Sequence, residues 1–183
     1  LEAALQATHS IVLSGPTTAC RIASRADGAR CEPLPPGMPD PASLFTVIND
    51  GEHDWYLIGK GAYRIDAGRW EALRSPAGAT IEVMAGAFSG PSEFWAADTH
   101  GISIYQVAGT TARLKERIDS TRFGAARIMF VHVDREGRTW VGTSQGVLVR
   151  SKGRWTSVDQ SNGLLWNDLD DNAVFEDTDG AIW

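Results

Sequence analysis

The sequence is poor in the groups that do chemistry. Its four histidines, His9, His53, His100 and His132, are scattered, with no His-Glu-x-x-His pair and no Gly-x-Ser-x-Gly nucleophile turn beside them. With only two cysteines, no Cys or His spacing supplies the four ligands of a structural zinc site. The acidic group Asp168, Asp170, Asp171, Asp177 and Asp179 lacks the glycine spacing and closing glutamate of a calcium loop. No basic stripe is present to neutralise phosphates, and the net charge is −6, which argues against a nucleic-acid partner. No apolar run approaches the roughly 20 residues that span a bilayer, and no stretch combines helical periodicity with helical length. These absences leave a non-enzymatic segment without cofactor or metal as the expectation.

What the chain does have is a beat. Trp55, Trp95, Trp140 and Trp183 lie 40, 45 and 43 residues apart. Six residues after each of the first three stands a glycine: Gly61, Gly101 and Gly146. Gly-Arg-Trp recurs as Gly68-Arg69-Trp70 and Gly153-Arg154-Trp155, fifteen residues after Trp55 and Trp140. A period of this length marks a propeller blade or a helical array.

Strand chemistry decides between them. Ile128–Asp134, Thr139–Thr143, Val147–Arg150 and Arg154–Val158 are short apolar runs, separated by turns that contain glycine. That is the pattern of a four-stranded antiparallel meander. Asp134-Arg-Glu-Gly137 is a turn with an Asx cap first and a glycine fourth, and Asp177-Thr-Asp-Gly180 repeats it before Trp183. The fold class read from this is all-β, a β-propeller of four-stranded antiparallel blades. The blades are placed at residues 1–41, 42–81, 82–126 and 127–171, with 172–183 beginning another. The first blade has Ile11 or Val12 at the tryptophan position, and the first and third match the repeat least. At about 43 residues a blade, a seven-bladed ring needs roughly 300 residues, so a partial ring of about four blades is expected.

The repeated tryptophans are assigned to structure. Facing sheets lie roughly 10 Å apart, and an indole at the start of the second strand fills that gap while its N–H takes a backbone partner. The glycine six residues on is expected to permit the turn into the third strand. His132, on an innermost strand, is expected to face a channel or pack.

The run from Asn162-Gly163-Leu164 to Ala181-Ile182-Trp183, and Asp134-Arg-Glu-Gly-Arg-Thr-Trp-Val-Gly-Thr-Ser-Gln-Gly-Val-Leu, resemble the two-component-regulator propeller repeat. The second blade departs from it, with Asn49 at the turn aspartate and Trp55-Tyr-Leu-Ile-Gly59 shifting the glycine. The third departs further, with Trp95-Ala-Ala-Asp-Thr. The resemblance implies the periplasmic sensing part of an inner-membrane receptor, homodimeric when whole, whose output is a cytoplasmic histidine kinase or diguanylate cyclase. It further implies a chain that begins after a signal peptide and stops before a membrane helix. The alternative is a secreted propeller enzyme or a lectin-like carbohydrate-binding module.

Strand counting points to a ligand face. In a four-stranded meander the loop between the second and third strands shares a face with the crossover to the next blade. Those segments bring Asp98, His100 and Gln145 towards Trp166, Asn167 and Asp168. An aromatic surface with amides and carboxylates suits a small polar ligand such as a sugar. Cys20 and Cys31 fall on the third and fourth strands of the first blade. There they form either a disulfide, in keeping with an oxidising compartment, or two buried thiols.

Overall fold

A computed structural model describes residues 3–7, 10–14, 17–22, 28–34, 36–39, 44–124, 127–171 and 173–183; His9 lies outside them. The described residues form sixteen strands in four sheets, each a meander paired in chain order. The first sheet holds β1 (Ala3–Ala7), β2 (Ser10–Ser14), β3 (Thr18–Ile22) and β4 (Ala29–Pro33). The second holds β5 (Leu44–Asn49), β6 (Asp54–Ile58), β7 (Gly61–Asp66) and β8 (Arg69–Ala72). The third holds β9 (Ala85–Phe88), β10 (Glu93–Asp98), β11 (Gly101–Ala108) and β12 (Thr111–Asp119). The fourth holds β13 (Ile128–Val133), β14 (Thr139–Thr143), β15 (Gly146–Ser151) and β16 (Arg154–Val158). β5 packs beside both β1 and β9, and β9 beside β13, so the first strands gather on the inside of an arc. The chain is an all-β propeller of four-stranded antiparallel blades. The third blade, whose sequence matches the repeat poorly, has the longest strands.

The seams between blades are where the core sits. Trp55 is fully buried with Phe88 and Phe94 from the third blade, and Trp95 packs against Val131 and Val141 of the fourth. Trp140 occupies the same register yet is only half-buried. It faces the side on which the short stretch 173–183 lies, itself folded back by an isolated bridge between Glu176 and Ile182.

Two local expectations are corrected. The indole N–H of each repeat tryptophan donates to a side-chain carboxylate rather than to the backbone: Trp55 to Asp50 Oδ2 at 2.8 Å, Trp95 to Glu93 Oε1 at 3.1 Å, Trp140 to Asp134 Oδ2 at 2.7 Å and Trp183 to Asp177 Oδ2 at 2.8 Å. A carboxylate is the stronger acceptor. It also lets one side chain cap the turn and hold the ring. The three glycines, moreover, are not equivalent. Gly101 (φ +140°) and Gly146 (φ +120°) each press against a backbone carbonyl of the outermost strand, where a Cβ would clash. Gly61 begins β7 against the Tyr63 ring, and the left-handed turn residue there is Gly59 (φ +59°).

The inner strands of the second and fourth blades carry the same irregularity. The register of β5 on β6 skips Phe45, and that of β13 on β14 skips Met129. Each skipped residue stands five before the turn aspartate. A one-residue bulge increases local twist, and its recurrence ties the bend of the inner strand to the repeat.

Candidate functional site

The crossovers and the loops between second and third strands meet on one face. Val83 donates its backbone N–H to Lys60 O at 3.0 Å, Ser120 to His100 O at 2.9 Å and Ser144 to Arg127 O at 3.0 Å. Each bond joins a crossover to such a loop. A 3.3 Å ion pair from Arg127 to Asp171 links the third crossover to the fourth. A 3₁₀ turn at Ser120–Phe123, capped by Asp119 and closed by Gly124, brings the third crossover beside Gln145.

Two of the residues expected on this face, Trp166 and Asp168, are presented to solvent in the crossover after β16. Trp166 is 74% exposed, next to exposed Leu165 and Asp168. Asn167 between them is half-buried, and its Oδ1 accepts the Gln160 backbone N–H at 2.7 Å, which fixes the loop. Gln160 in turn donates to Leu165 O at 2.8 Å. His100 and Gln145 are exposed on their loops.

Asp98 has a different situation. Arg117 grips it with two nitrogens at 2.8 Å each, and Oδ1 also accepts the His100 N–H at 2.6 Å. Burial disfavours its charge, but the bonds from Arg117 and His100 outweigh that and hold its carboxyl below the usual aspartate range. Arg117 also donates to Ser103 Oγ. Asp98 therefore stiffens the loop that presents His100.

The concave side of the arc, where His132 stands as one of the two outcomes expected of it, holds none of the residues expected on the ligand face. A cavity of about 710 Å³ is lined by the inner strands and the first turns, with Ile48, Phe88, Phe130, His132 and Glu176 on its walls. It opens among the Asp-capped turns, away from the crossovers. Its carboxylates are largely committed. Asp50 accepts from Trp55 and from the Glu52 and His53 backbone; Asp134 accepts from Trp140, Arg138 and the Glu136 backbone. In the first blade, Cys20 and Cys31 stand directly opposite each other on β3 and β4 and are joined as a disulfide. No group of three or more metal-binding side chains comes together among the described residues. Nor, among them, is any helix long and apolar enough to cross a membrane.

Comparison with known proteins gives a likeness of fold. No protein-family profile matches the chain. No curated protein matches it either. Solved structures do. The chain aligns over 99% of its length, at 14% identity and a TM-score of 0.64, with the extracellular domain of what is designated a hybrid two component system, BT4673, from B. thetaiotaomicron. It aligns over its full length, at 10% identity and a TM-score of 0.57, with the extracellular domain of another so designated, BT3049, from the same organism. Virginiamycin B lyase from Staphylococcus aureus is similar over the full length too, at 14% identity and a TM-score of 0.57. The chain spans 25% of the BT4673 domain and 31% of the BT3049 domain.

Proposed function

We propose that this chain is a ligand-sensing propeller segment of an extracytoplasmic receptor domain, relaying occupancy to an output domain across an inner membrane. The observation that carries the reading is the likeness of nearly the whole chain to the extracellular domain of BT4673, at a TM-score of 0.64. The repeat Asp134-Arg-Glu-Gly…Trp140-Val-Gly-Thr supports it from the sequence side, and the Cys20–Cys31 bridge suits an oxidising compartment.

The ligand in this reading is a small polar molecule, with a carbohydrate as the leading class. Trp166 offers a ring face, and Asn167, Asp168, His100 and Gln145 offer donors and acceptors on the same face, while Asp98 holds the His100 loop. An aromatic plane flanked by polar groups is how a sugar is gripped: its C–H face packs on the ring and its hydroxyls bond to the rim. Thermal-shift titration with a panel of neutral and charged oligosaccharides tests this. A dose-dependent rise in Tm for one class, absent in a folded Trp166→Ala, Asp168→Ala double variant, supports the reading. A panel without effect, or binding that the double variant retains, rejects the crossover face. Turnover of the sugar would move the protein to the enzyme class.

A further inference from the structure

Each inner strand places one residue opposite the tryptophan of its sheet: Ile48 opposite Trp55, Ala87 opposite Trp95 and His132 opposite Trp140. The first two belong to the apolar packing between blades. The third is an imidazole, set against the stretch 173–183. His132 Nε2 is closed off from solvent without a hydrogen bond, and Glu176 Oε2 is 3.5 Å away. The Glu176 side chain is only 10% exposed, and its two oxygens accept the Arg135 backbone N–H at 3.2 and 3.3 Å. Arg135 then donates Nη1 to Thr178 O at 2.9 Å and Nη2 to Asp177 O at 2.7 Å. This seam therefore sets polar contacts around a half-buried histidine whose Nε2 is shut off from solvent, where the equivalent positions of the other two are the apolar Ile48 and Ala87.

We propose that the seam between the fourth blade and the stretch 173–183 is an acid-sensitive latch, closed while His132 is neutral and loosened when His132 takes a proton. An imidazole nitrogen shut off from solvent and without a hydrogen bond is a poor place for a new positive charge, since on that side the charged form loses its water without gaining a full hydrogen bond. The groups around it are few. Glu176 faces it from 173–183, with the Arg135 guanidinium 3.7 Å from that carboxylate. Asp134 on the following turn is occupied by Trp140 and Arg138. Across the sheet stands Trp140, and β9 brings no titratable side chain. On β10, Glu93 and Asp98 are paired with Lys115 and Arg117.

Burial dominates and holds the His132 proton affinity below that of an ordinary histidine, even against the opposing pull of Glu176 and Asp134. A histidine so depressed contributes stability that is complete above its unfolded value, about pH 6.5, and lost as pH falls through its lower folded value. The direction is set: the latch opens on acidification.

Amide hydrogen exchange over 173–183, corrected for the intrinsic pH dependence and compared between about pH 7.5 and about pH 5, reads the latch directly. Protection there is expected to fall at least several-fold on acidification while β10 and β11 keep theirs. His132→Ile, which installs the residue the second blade uses, is expected to remove the pH dependence and keep the protection. A fall that persists in His132→Ile, or no fall in the unaltered chain, overturns the proposal. Should that variant misfold, an NMR titration of His132 in the unaltered chain decides. A midpoint below that of an unfolded histidine supports the latch, and one at or above it refutes it.

Discussion

Trp140 donates its indole N–H to Asp134 Oδ2 at 2.7 Å, and the same carboxylate closes the turn from which Trp140 follows. Asp134 Oδ1 accepts the backbone N–H of Glu136 at 3.0 Å and of Arg138 at 2.8 Å, and Arg138 Nε bonds to Oδ2 at 2.5 Å. Arg138 also lies over the Trp140 ring, 5.4 Å from its centre. Asp50 does the same for Trp55, with one residue fewer between them. One buried acid thus fixes a turn, a strand start and an indole.

Asp134→Asn is expected to destabilise the fold by about 1–3 kcal/mol, because the bonds to Trp140 and Arg138 lose a charged acceptor inside the protein. Urea unfolding at neutral pH measures this. Asp168→Asn, an exposed change in a crossover, should fall within about 0.5 kcal/mol of the parent.

Acid should weaken the same turns. Burial works against the charge of Asp50 and Asp134, but the bonds from the tryptophans, Arg138 and backbone amides outweigh it and depress both carboxyls. The stability they contribute is present above the unfolded aspartate range, near pH 4, and lost as pH drops through the lower folded values. Unfolding midpoints measured from about pH 6 to about pH 2 should fall mainly below pH 4, with a smaller fall in Asp134→Asn.

The tryptophans should not be equal. Trp55→Ala removes a fully buried ring packed at 5.4 Å on Phe88 and is expected to cost about 3–5 kcal/mol. Trp140→Ala, at a half-buried site, should cost about half as much. Equal losses in denaturant midpoint would contradict the assignment of these two seams.

Reducing the disulfide should lower stability by about 2–3 kcal/mol, the chain-entropy expectation for so short a closed loop; Cys31 stands eleven positions after Cys20. Thiol titration of the unfolded, unreduced protein should find no free thiol. Cys31→Ser should remove the effect of reductant on Tm.

The sheets were legible because their signals are local. Short apolar runs and Asp-x-x-Gly turns are written in a few consecutive residues each, and the tryptophan beat supplies the register. The third blade shows the limit of that. Its tryptophan is followed by Ala96-Ala97 rather than Val-Gly, yet both alanines are buried in the seams and the strand forms as elsewhere. Fit to the neighbouring blade substitutes for the motif. The acceptors of the indoles were missed for another reason. Asp50 and Asp134 stand at different spacings from Trp55 and Trp140, and read singly each is an ordinary turn cap. The carboxylates stand five residues before Trp55, two before Trp95 and six before Trp140 and Trp183, so no single spacing marks them. His132 and Glu176 are 44 residues apart, and nothing local in either announces the other. For the face of the crossovers and second-to-third-strand loops, strand counting gave the sidedness, since direction alternates along any meander; it gave no warning that Arg117 would occupy Asp98.

Arg150 belongs to the fourth blade, yet its guanidinium lies 5.2 Å from the centre of the Trp95 ring and bonds to Glu116 at 3.0 Å, both in the third. On its own sheet it reaches the Trp155 ring at 5.8 Å. Ownership of a residue by sequence and by energy is therefore different here. A recombination that swapped one blade for a homologue would carry off an arginine and leave behind the ring and carboxylate it serves. Keeping Trp95, Glu116, Arg150 and Trp155 together takes a segment running at least from residue 95 to residue 155, longer than one blade. For this chain the smallest piece that keeps this seam whole is larger than the sheet that the eye picks out.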